Sequence, residues 1–364
     1  MKERTYEQFR RRPQSALLGV ENAAPFSERV MRSASPRLAS RTSQMELPSR
    51  GAFHSGYGET WAKAILVGEH SAVYGYPAVA LPLHSMKMKA WATPNLVGRH
   101  QLRALGFTGP LDDSGDRFAG IRRAVSVAEE FVSPQRWSAF TLVTEADFPA
   151  ERGLGSSAAA AGAVIRAVLD AYGVGATSQE LFELTNRAEM VTHGHPSGLD
   201  SATTCSQNAV VLSGGRISHV SMKASGVLVI ADSGICGSTR EAVGNVHHQY
   251  ETDRPRIEAI LGELGTLGSQ SVDDLQGGKM DDLGVHMNAA HILLAQLKVS
   301  EPTLDRLVNV ARDAGALGAK LTGGGLGGCI VALAADQRHA DVIMDELRQA
   351  GACGVWSHGL GAMV

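Results

Sequence analysis

The sequence lacks the features that define several protein classes. It has only four cysteines in 364 residues, widely spaced and without a C-x-x-C pair, so neither a disulfide framework nor a zinc site is predicted. No apolar run approaches the ~20 residues that span a bilayer, and no secretory signal is recognisable near the start. We therefore expect a soluble, cytoplasmic protein without a membrane partner.

Length and charge narrow the class of partner. The hydrophobic content of 44% over 364 residues is enough for the cores of two domains. The chain carries 34 basic and 37 acidic residues and a formal net charge of -3, so it has no electrostatic signature for nucleic acid. The nucleotide-hydrolase loop G-x-x-x-x-G-K-[ST] is also absent. We expect a small-molecule partner, and any phosphate chemistry must use another scaffold.

The first fifty residues differ from the rest of the chain. They contain the run Arg10–Arg12, scattered serines and prolines, and no sustained hydrophobic period, which predicts a disordered tail over residues 1–50. The glutamates in this stretch argue against an organelle-targeting presequence, which is poor in acids. Glycines near residues 215–226 predict a boundary between two domains, at 51–220 and 221–364.

From residue 57 onward the hydrophobic pattern alternates between strand and helix. Short apolar runs predict strands, and longer periodic segments predict helices. The predicted strands are Ala64–Val67, Ser138–Val143, Ala209–Leu212, Val227–Ala231 and Ile330–Ala334. The predicted helices are Ser156–Tyr172, Thr177–His193, Leu283–Leu297 and Leu304–Ala314, the second of which starts with a capping box.

A glycine-rich turn at residues 149–159 predicts a phosphate-binding site. Gly153 and Gly155 permit backbone angles closed to other residues and allow a ligand to approach closely. Ser156 and Ser157 stand at the start of a predicted helix, where free N–H groups and the helix dipole attract anions. Such a turn on its own is about as often a simple tight loop. The other motifs therefore have to decide between the two interpretations.

A second glycine cluster, at residues 323–328, matches G-x-G-x-x-G by spacing alone. The dinucleotide-binding fingerprint follows a strand and opens a helix. Here we expect a helix before the cluster and the strand Ile330–Ala334 after it, so this fingerprint is rejected. Five glycines in six positions are more than a turn requires, which favours close backbone contact with a ligand. Leu326 interrupts the run, and its side chain must fit beside the ligand or point away.

Four segments, in order along the chain, resemble the motifs of one family. They are the segments Lys63–Ala80, Gly153–Ala159, His193–Asp200 and Gly315–Gly323. Through these segments the chain resembles the GHMP kinase family over residues 57–335. Their Gly-Glu-His and Pro-Ser-Gly-x-Asp stretches resemble the mevalonate kinases more than the galactokinases or homoserine kinases. The stretch Thr60–Ala62 before Lys63, where many family members have Ala-Pro-Gly, resembles the bacterial-type mevalonate kinases.

The resemblance implies a two-domain α+β fold. It implies an N-terminal ATP-binding domain with a left-handed βαβ unit, a C-terminal ferredoxin-like domain, and an active site in the cleft between them. The implied reaction transfers phosphate from ATP to the primary 5-hydroxyl of (R)-mevalonate, which gives 5-phosphomevalonate and ADP on the route to isoprenoids. The implied cofactor is Mg²⁺, the implied partners are ATP and mevalonate, and the family suggests a homodimer.

The resemblance also implies roles for individual residues. Asp200 matches the catalytic carboxylate and Lys63 the lysine beside the reacting hydroxyl, while Ser157 and Glu189 match the Mg²⁺ ligands. These residue types suit the roles, because Mg²⁺ prefers hard oxygen ligands and a carboxylate can accept or orient the proton of an alcohol. The ATP phosphates are expected at Gly153, Leu154, Gly155, Ser156, Ser157 and Ala158. The acceptor substrate is expected at Lys63, Glu69, His70, Asp200, Thr239 and Gly324.

Without the family resemblance, several of these residues would be assigned ordinary structural roles rather than catalytic ones. Glu189 at a helix end is by default a solvated surface acid, Asp200 is a helix cap, and Lys63 is an exposed lysine at a strand edge. The histidines of the motifs, His70 and His195 among them, lack the cysteine or histidine partners of a metal site.

Other functions stay open at this point. Phosphomevalonate kinase, a homoserine-type kinase and diphosphomevalonate decarboxylase are alternatives within the family. A substrate that already carries phosphate needs additional cations, and the motifs supply only Lys63 with Lys320 or Arg240. A catalytically silent metabolite sensor is the alternative outside catalysis, and the retention of all four residues matched to the reaction weakens it.

Overall fold

The computed structural model describes residues 54–132, 139–193, 197–223 and 225–361. The predicted tail, residues 1–50, and residues 194–196 of the segment His193–Asp200 lie outside these ranges. The described strands are β1 Gly56–Val67, β2 Ala78–Pro94, β3 Gln101–Ala104, β4 Phe107–Pro110, β5 Phe140–Ala146, β6 Ala209–Ser213, β7 Arg216–Val220, β8 Gly226–Asp232, β9 Gly318–Thr322, β10 Cys329–Ala334 and β11 Gly354–Leu360. The described α-helices are α1 Ala119–Val132, α2 Ser156–Ala171, α3 Ser178–His193, α4 Leu199–Thr204, α5 Thr239–Thr252, α6 Arg254–Gly277, α7 Met280–Gln296, α8 Pro302–Asp313 and α9 Gln337–Gln349.

The first half of the described chain forms a seven-stranded mixed sheet. Six of its strands lie in the order β4-β3-β5-β2-β6-β7. The seventh strand, β1, pairs with β2 in addition to these neighbours. β3 and β5 are parallel and are connected through α1. Helix α2 packs closely on β1, because a Cβ at Gly58 would lie only 2.0 Å from the carbonyl oxygen of Ala163. This contact fixes the strand that carries Lys63 beside the helix that starts at Ser156.

The second half forms a four-stranded antiparallel sheet of order β11-β8-β10-β9. When its strands are numbered 1 to 4 along the chain, from β8 to β11, their order in the sheet is 4-1-3-2. Helices lie between β8 and β9 and between β10 and β11, as in a ferredoxin-like β-α-β-β-α-β unit. β7, which ends at Val220, belongs to the first sheet, and β8, which begins at Gly226, belongs to the second. We therefore propose that the predicted boundary at 220/221 separates the two domains.

All nine predicted strands and helices are present, with shifted ends. The predicted strands correspond to β1, β5, β6, β8 and β10, and the predicted helices to α2, α3, α7 and α8. The capping box of α3 is confirmed, because the Thr177 and Glu180 side chains each accept a hydrogen bond from the other residue's backbone N–H, at 3.2 and 2.8 Å.

The glycine cluster at residues 323–328 joins two antiparallel strands. The expectation that a helix directly precedes this cluster is wrong, because the fully buried strand β9 lies between α8 and the cluster. The rejection of a dinucleotide site stands, since β10 rather than a helix follows the cluster. Leu326 has a positive φ of 57° and packs against the hydrophobic core, so its side chain points away from the glycine loop.

Helices α5 and α6 are not predicted by the sequence pattern. Helix α6 contains glycines at three-residue spacing, which lower helix propensity. Their role is in packing, because a Cβ at Gly265 would lie 2.7 Å from Tyr76 Cβ and one at Gly268 would lie 2.4 Å from Pro77 O. These glycines thus let α6 lie directly against the segment that follows His70.

Substitution of Gly268 tests this packing. We expect Gly268→Ala to lower the free energy of unfolding by about 1–3 kcal/mol, because the new methyl group overlaps a backbone oxygen that cannot move independently. The matched control is Gly244→Ala in α5, where nothing lies within 4 Å, and there alanine should raise stability by up to about 1 kcal/mol. Urea unfolding followed by circular dichroism measures both, and equal effects at the two positions would contradict the packing role.

Candidate active site

The glycine-rich turn lies between β5 and α2 and contacts both sheets. Gly153 and Gly155 have positive φ angles of 77° and 72°, and Gly155 is the N-cap of α2. A Cβ on Gly153 would lie 2.7 Å from Thr322 O, and one on Gly155 would lie 2.8 Å from Lys63 Cγ. Glycine is therefore required at both positions, and the turn presents the N–H groups of a helix start, which attract anions.

Strand β1 brings Lys63 to this turn. The Lys63 N–H donates to Leu154 O at 3.0 Å, and Lys63 Nζ lies 3.0 Å from Asp200 Oδ1. The Lys63 side chain is 3% exposed, whereas that of Asp200, in the short helix α4, is 46% exposed. The interpretation of Lys63 as an exposed strand-edge lysine is wrong, and that of Asp200 as a helix cap is also wrong because Gly198 holds the N-cap position.

A second pair of polar side chains joins the start of α2 to α3. Ser157 Oγ donates to Glu189 Oε1 at 2.6 Å. Glu189 is 2% exposed, so its interpretation as a solvated surface acid is wrong. Burial raises the pKa of Glu189 to about 7, the hydrogen bond from Ser157 opposes that rise, and the Asp200 carboxylate adds to it.

The residues predicted on the acceptor side come from three separate segments. His70 Nε2 donates to Gly324 O at 2.9 Å, since a carbonyl oxygen can only accept. Burial lowers the pKa of His70 to about 4, so the ring is neutral near pH 7. Gly324 lies against Thr239, whose Cα would be 2.9 Å from a Cβ at that glycine. His70 also has a positive φ of 62°, an uncommon backbone conformation that clusters at functional sites.

Glu69 and Lys320 form an ion pair between the two sheets. Lys320 Nζ contacts Glu69 Oε1, and both residues are almost completely inaccessible to solvent. Thr322, two residues further along β9, accepts from the Ile65 N–H at 2.9 Å through its hydroxyl. These contacts hold β9 against the end of β1, and they occupy the Lys320 ammonium.

The predicted site residues line one cavity of about 610 Å³, with the exception of Leu154, whose side chain is in the core. The cavity extends beyond the predicted residues to Arg117 and Phe118, in a 3-10 helix, and to Ser201. Arg117 belongs to none of the sequence motifs, so its position in the cavity could not be predicted from the sequence. Arg117 Nε lies 3.8 Å from Glu151 Oε1, at the edge of the glycine-rich turn.

Comparisons with known proteins agree with this geometry. The chain matches the family described as GHMP kinases N terminal domain over residues 121–208, and the one described as GHMP kinases C terminal over residues 271–353. The mevalonate kinase of Thermococcus onnurineus is 32% identical over 299 residues, which cover 76% of this chain and 88% of that protein. The chain belongs to the GHMP kinases, in the mevalonate kinase family.

Solved structures support the same assignment. The crystal structure of L. major mevalonate kinase in complex with R-mevalonate has a TM-score of 0.74 at 26% identity, and the match covers 85% of this kinase and 96% of that chain. Streptococcus pneumoniae phosphomevalonate kinase, at 19% identity and a TM-score of 0.71 over 84% of this kinase and 99% of that chain, shares the fold. Among the described residues of this kinase, no helix combines the length and the apolar character needed to cross a bilayer.

The oxygen pair at the start of α2 suits Mg²⁺. Within the described ranges, no group of three or more acidic, histidine or cysteine side chains could hold a metal ion. Mg²⁺ commonly takes only one or two protein ligands and completes its shell with water and substrate phosphates, so one hydroxyl and one carboxylate are sufficient. Ser157 and Glu189, whose side chains are hydrogen-bonded at 2.6 Å, could supply these two hard oxygen ligands beside the glycine-rich turn.

The close contact between Gly155 and Lys63 makes a testable prediction for this kinase. We expect Gly155→Ala to lower kcat about tenfold to a hundredfold, because the new methyl group displaces the Lys63 side chain. A displacement of a catalytic group by about 1 Å can reduce the rate by that factor. The control is Gly175→Ala, in a loop position with nothing within 4 Å. Steady-state ADP release measures both variants, and unchanged kcat in Gly155→Ala would show that Lys63 does not need this space.

Proposed function

We propose that this kinase transfers the γ-phosphoryl group of ATP to the primary 5-hydroxyl of (R)-mevalonate, giving 5-phosphomevalonate and ADP on the route to isoprenoids. The observation that carries this proposal is that the Lys63–Asp200 pair and the Ser157–Glu189 pair open into the same cavity as the glycine-rich turn. The relatives named mevalonate kinase support the choice of acceptor.

The nucleotide end of the cavity is the turn at residues 153–158. Its backbone N–H groups and the start of α2 would bind the ATP phosphates, and Ser157 and Glu189 would hold Mg²⁺. Mg²⁺ bound there supplies positive charge that neutralises the phosphate oxygens during transfer.

The acceptor end of the cavity is built around Asp200. Its carboxylate is half exposed and accepts the hydrogen bond of the attacking hydroxyl, which fixes the direction of that oxygen. Lys63, held 3.0 Å from Asp200, donates to the negative charge that develops on the transferring group. His70, Thr239 and Gly324 line the same cavity and would contact the acceptor.

Glu69 has a different position from the rest of the predicted acceptor residues. Its Oε1 is engaged by Lys320, and its Oε2 is buried without a hydrogen-bond partner. We propose that Glu69 contributes to acceptor binding from the edge of the cavity, while its main contact holds β9 in place.

Phosphorylated acceptors are the nearest alternative class. They require cations for the additional phosphate, and Lys320 is occupied by Glu69. Lys320 does not line the cavity, and among the described residues the lysine and arginine side chains that do are Lys63, Arg117 and Arg240. Lys63 is paired with Asp200, and Arg117 lies 3.8 Å from Glu151 Oε1, so neither cation is reserved for an additional phosphate, which favours mevalonate over phosphomevalonate.

The test is ADP release with Mg²⁺ and ATP against mevalonate, phosphomevalonate, homoserine and galactose. Turnover with mevalonate alone is the expected result. Turnover with a different compound would move the acceptor assignment, and no turnover with any of them would favour a metabolite sensor. A cytoplasmic location, a homodimer, and a tail at residues 1–50 that is dispensable for turnover also stay predictions.

A further inference from the structure

An arginine in the glycine-rich turn connects that turn to a distant part of the chain. Arg152 is not among the residues that line the cavity. Its Nε lies 3.0 and 3.2 Å from the two carboxylate oxygens of Asp232, its Nη1 donates to Cys236 Sγ at 2.7 Å, and its Nη2 donates to Gly234 O at 3.3 Å. The Arg152 and Asp232 side chains are only 16% and 7% exposed. Arg152 therefore binds the second half of the protein rather than a phosphate.

The segment that Arg152 holds leads to the acceptor end of the cavity. We call residues 233–239 the acceptor loop. Gly237, Ser238 and Thr239 of this loop line the cavity, and Thr239 is the first residue of α5. The Gly237 N–H also donates to Glu151 O at 3.4 Å, a second link between the acceptor loop and the glycine-rich turn.

We propose that Arg152 is a positioning residue that couples the two ends of the cavity, so that nucleotide bound at the glycine-rich turn tightens the binding of the acceptor. The proposal rests on the proposed function, since it takes nucleotide phosphates to bind at residues 153–158. The Arg152 side chain contacts Gly234 and Cys236 of the acceptor loop, and it pairs with Asp232, the residue just before that loop. A turn that is ordered by phosphate would then hold the acceptor loop in place, which lowers the ordering cost of the second ligand.

The geometry requires arginine rather than any cation. The guanidinium is a rigid fork that reaches Asp232, Gly234 and Cys236 from three different nitrogen atoms. A lysine has a single nitrogen atom, so it can keep the ion pair with Asp232 but not the contacts to the acceptor loop. Arg152→Lys is therefore a test that separates coupling from charge.

The first experiment measures the dissociation constant of mevalonate by calorimetry, with and without Mg²⁺ and adenylyl imidodiphosphate. In the wild type we expect the nucleotide to tighten mevalonate binding by about fivefold or more, within the usual range of coupling between sites. In Arg152→Lys we expect less than about a twofold effect, with the affinity for nucleotide alone little changed. The control is Arg348→Lys, which alters an exposed pair with Asp345 on α9 and should retain the full effect.

The second experiment does not depend on the acceptor. Cys236 and Cys353 are both exposed, so alkylation of Cys236 by N-ethylmaleimide is followed by mass spectrometry in a Cys353→Ala background. Nucleotide alone should slow this alkylation at least about threefold, and the effect should be absent after Arg152→Lys. If Arg152→Lys does not fold, Cys236→Ala removes only the sulfur contact and should reduce the coupling measured by calorimetry.

The outcomes separate the two proposals. Full coupling in Arg152→Lys, or no effect of nucleotide on the alkylation of wild-type Cys236, would overturn the role of Arg152. Failure of the wild type to bind or phosphorylate mevalonate would overturn the proposed acceptor, and the alkylation rates would still decide whether Arg152 couples the two segments.

Discussion

Asp200→Asn is expected to lower kcat by about a thousandfold or more. Asparagine fills the same space, but it cannot accept a proton and it presents no negative charge to Lys63, whose Nζ lies 3.0 Å from Asp200 Oδ1. Lys63 is 3% exposed, so the substitution leaves a buried ammonium without its carboxylate. Nucleotide affinity should change by less than about threefold, because the phosphates are expected at the glycine-rich turn rather than at α4.

The double variant Lys63→Met, Asp200→Asn sharpens this test. Two residues that act as one unit show non-additive losses, so the double variant should be hardly slower than the single ones. Asp112→Asn, at an exposed position outside the cavity, is the control and should keep wild-type turnover. Turnover of Asp200→Asn within about tenfold of the wild type would remove Asp200 from the chemistry.

The parts of the site that lie within one local motif could be predicted from the sequence. The glycine-rich turn is an example, because positive φ angles at Gly153 and Gly155 and a helix start at Ser156 all follow from neighbouring residues. Lys63, Glu189 and Asp200 are far apart in the chain, and without the family resemblance each has an ordinary surface explanation. Their burial and mutual distances depend on how β1, α3 and α4 pack.

Contacts between the two sheets could not be predicted in the same way. The sequence offers Lys320 as a cation for a phosphorylated acceptor, but its ammonium is buried against Glu69. Arg152 stands in a phosphate motif, yet its guanidinium binds Asp232. Both examples depend on which segment of the second sheet faces the first, and neither periodicity nor motif spacing carries that information.

Helix propensity does not predict α6, because this helix contains glycines that are needed for packing. Helix α6 spans Arg254–Gly277, and its glycines lower the propensity on which a sequence prediction relies. Gly265 and Gly268 are nevertheless needed there, because Tyr76 and Pro77 occupy the space of their missing side chains. Tertiary packing thus outweighs local propensity in this helix.

Glu189→Gln is expected to make the ligand-free kinase more stable and almost inactive. In the wild type the Ser157 hydroxyl donates to Glu189 at 2.6 Å, and the side-chain oxygen of glutamine can still accept this hydrogen bond. It cannot supply the negative charge that favours Mg²⁺, so kcat should fall by about a hundredfold or more at moderate Mg²⁺ concentrations. Glu183→Gln, an exposed acid on the same helix, is the control and should preserve both activity and stability.

The gain in stability should depend on pH in a defined direction. Burial raises the pKa of Glu189 from 4.5 to about 7 in the folded kinase, so the folded state holds this proton more tightly than the unfolded state. Stability contributed by the protonated carboxyl is therefore present below pH 4.5 and is lost as the pH rises through about 7. Glutamine does not titrate, so the advantage of Glu189→Gln should be near zero at pH 4.5 and should reach at most about 3 kcal/mol at pH 8.

Urea unfolding without nucleotide or Mg²⁺, at pH 5 and pH 8, measures this difference. Addition of Mg²⁺ and nucleotide at pH 8 should then stabilise the wild type far more than Glu189→Gln, because only the wild type offers a carboxylate to the metal. A variant that is less stable than the wild type at pH 8 would show that the Glu189 carboxylate is favourable in the ligand-free fold. In that case the burial of Glu189 would not lower the stability of the ligand-free kinase, and Mg²⁺ binding would not be needed to explain it.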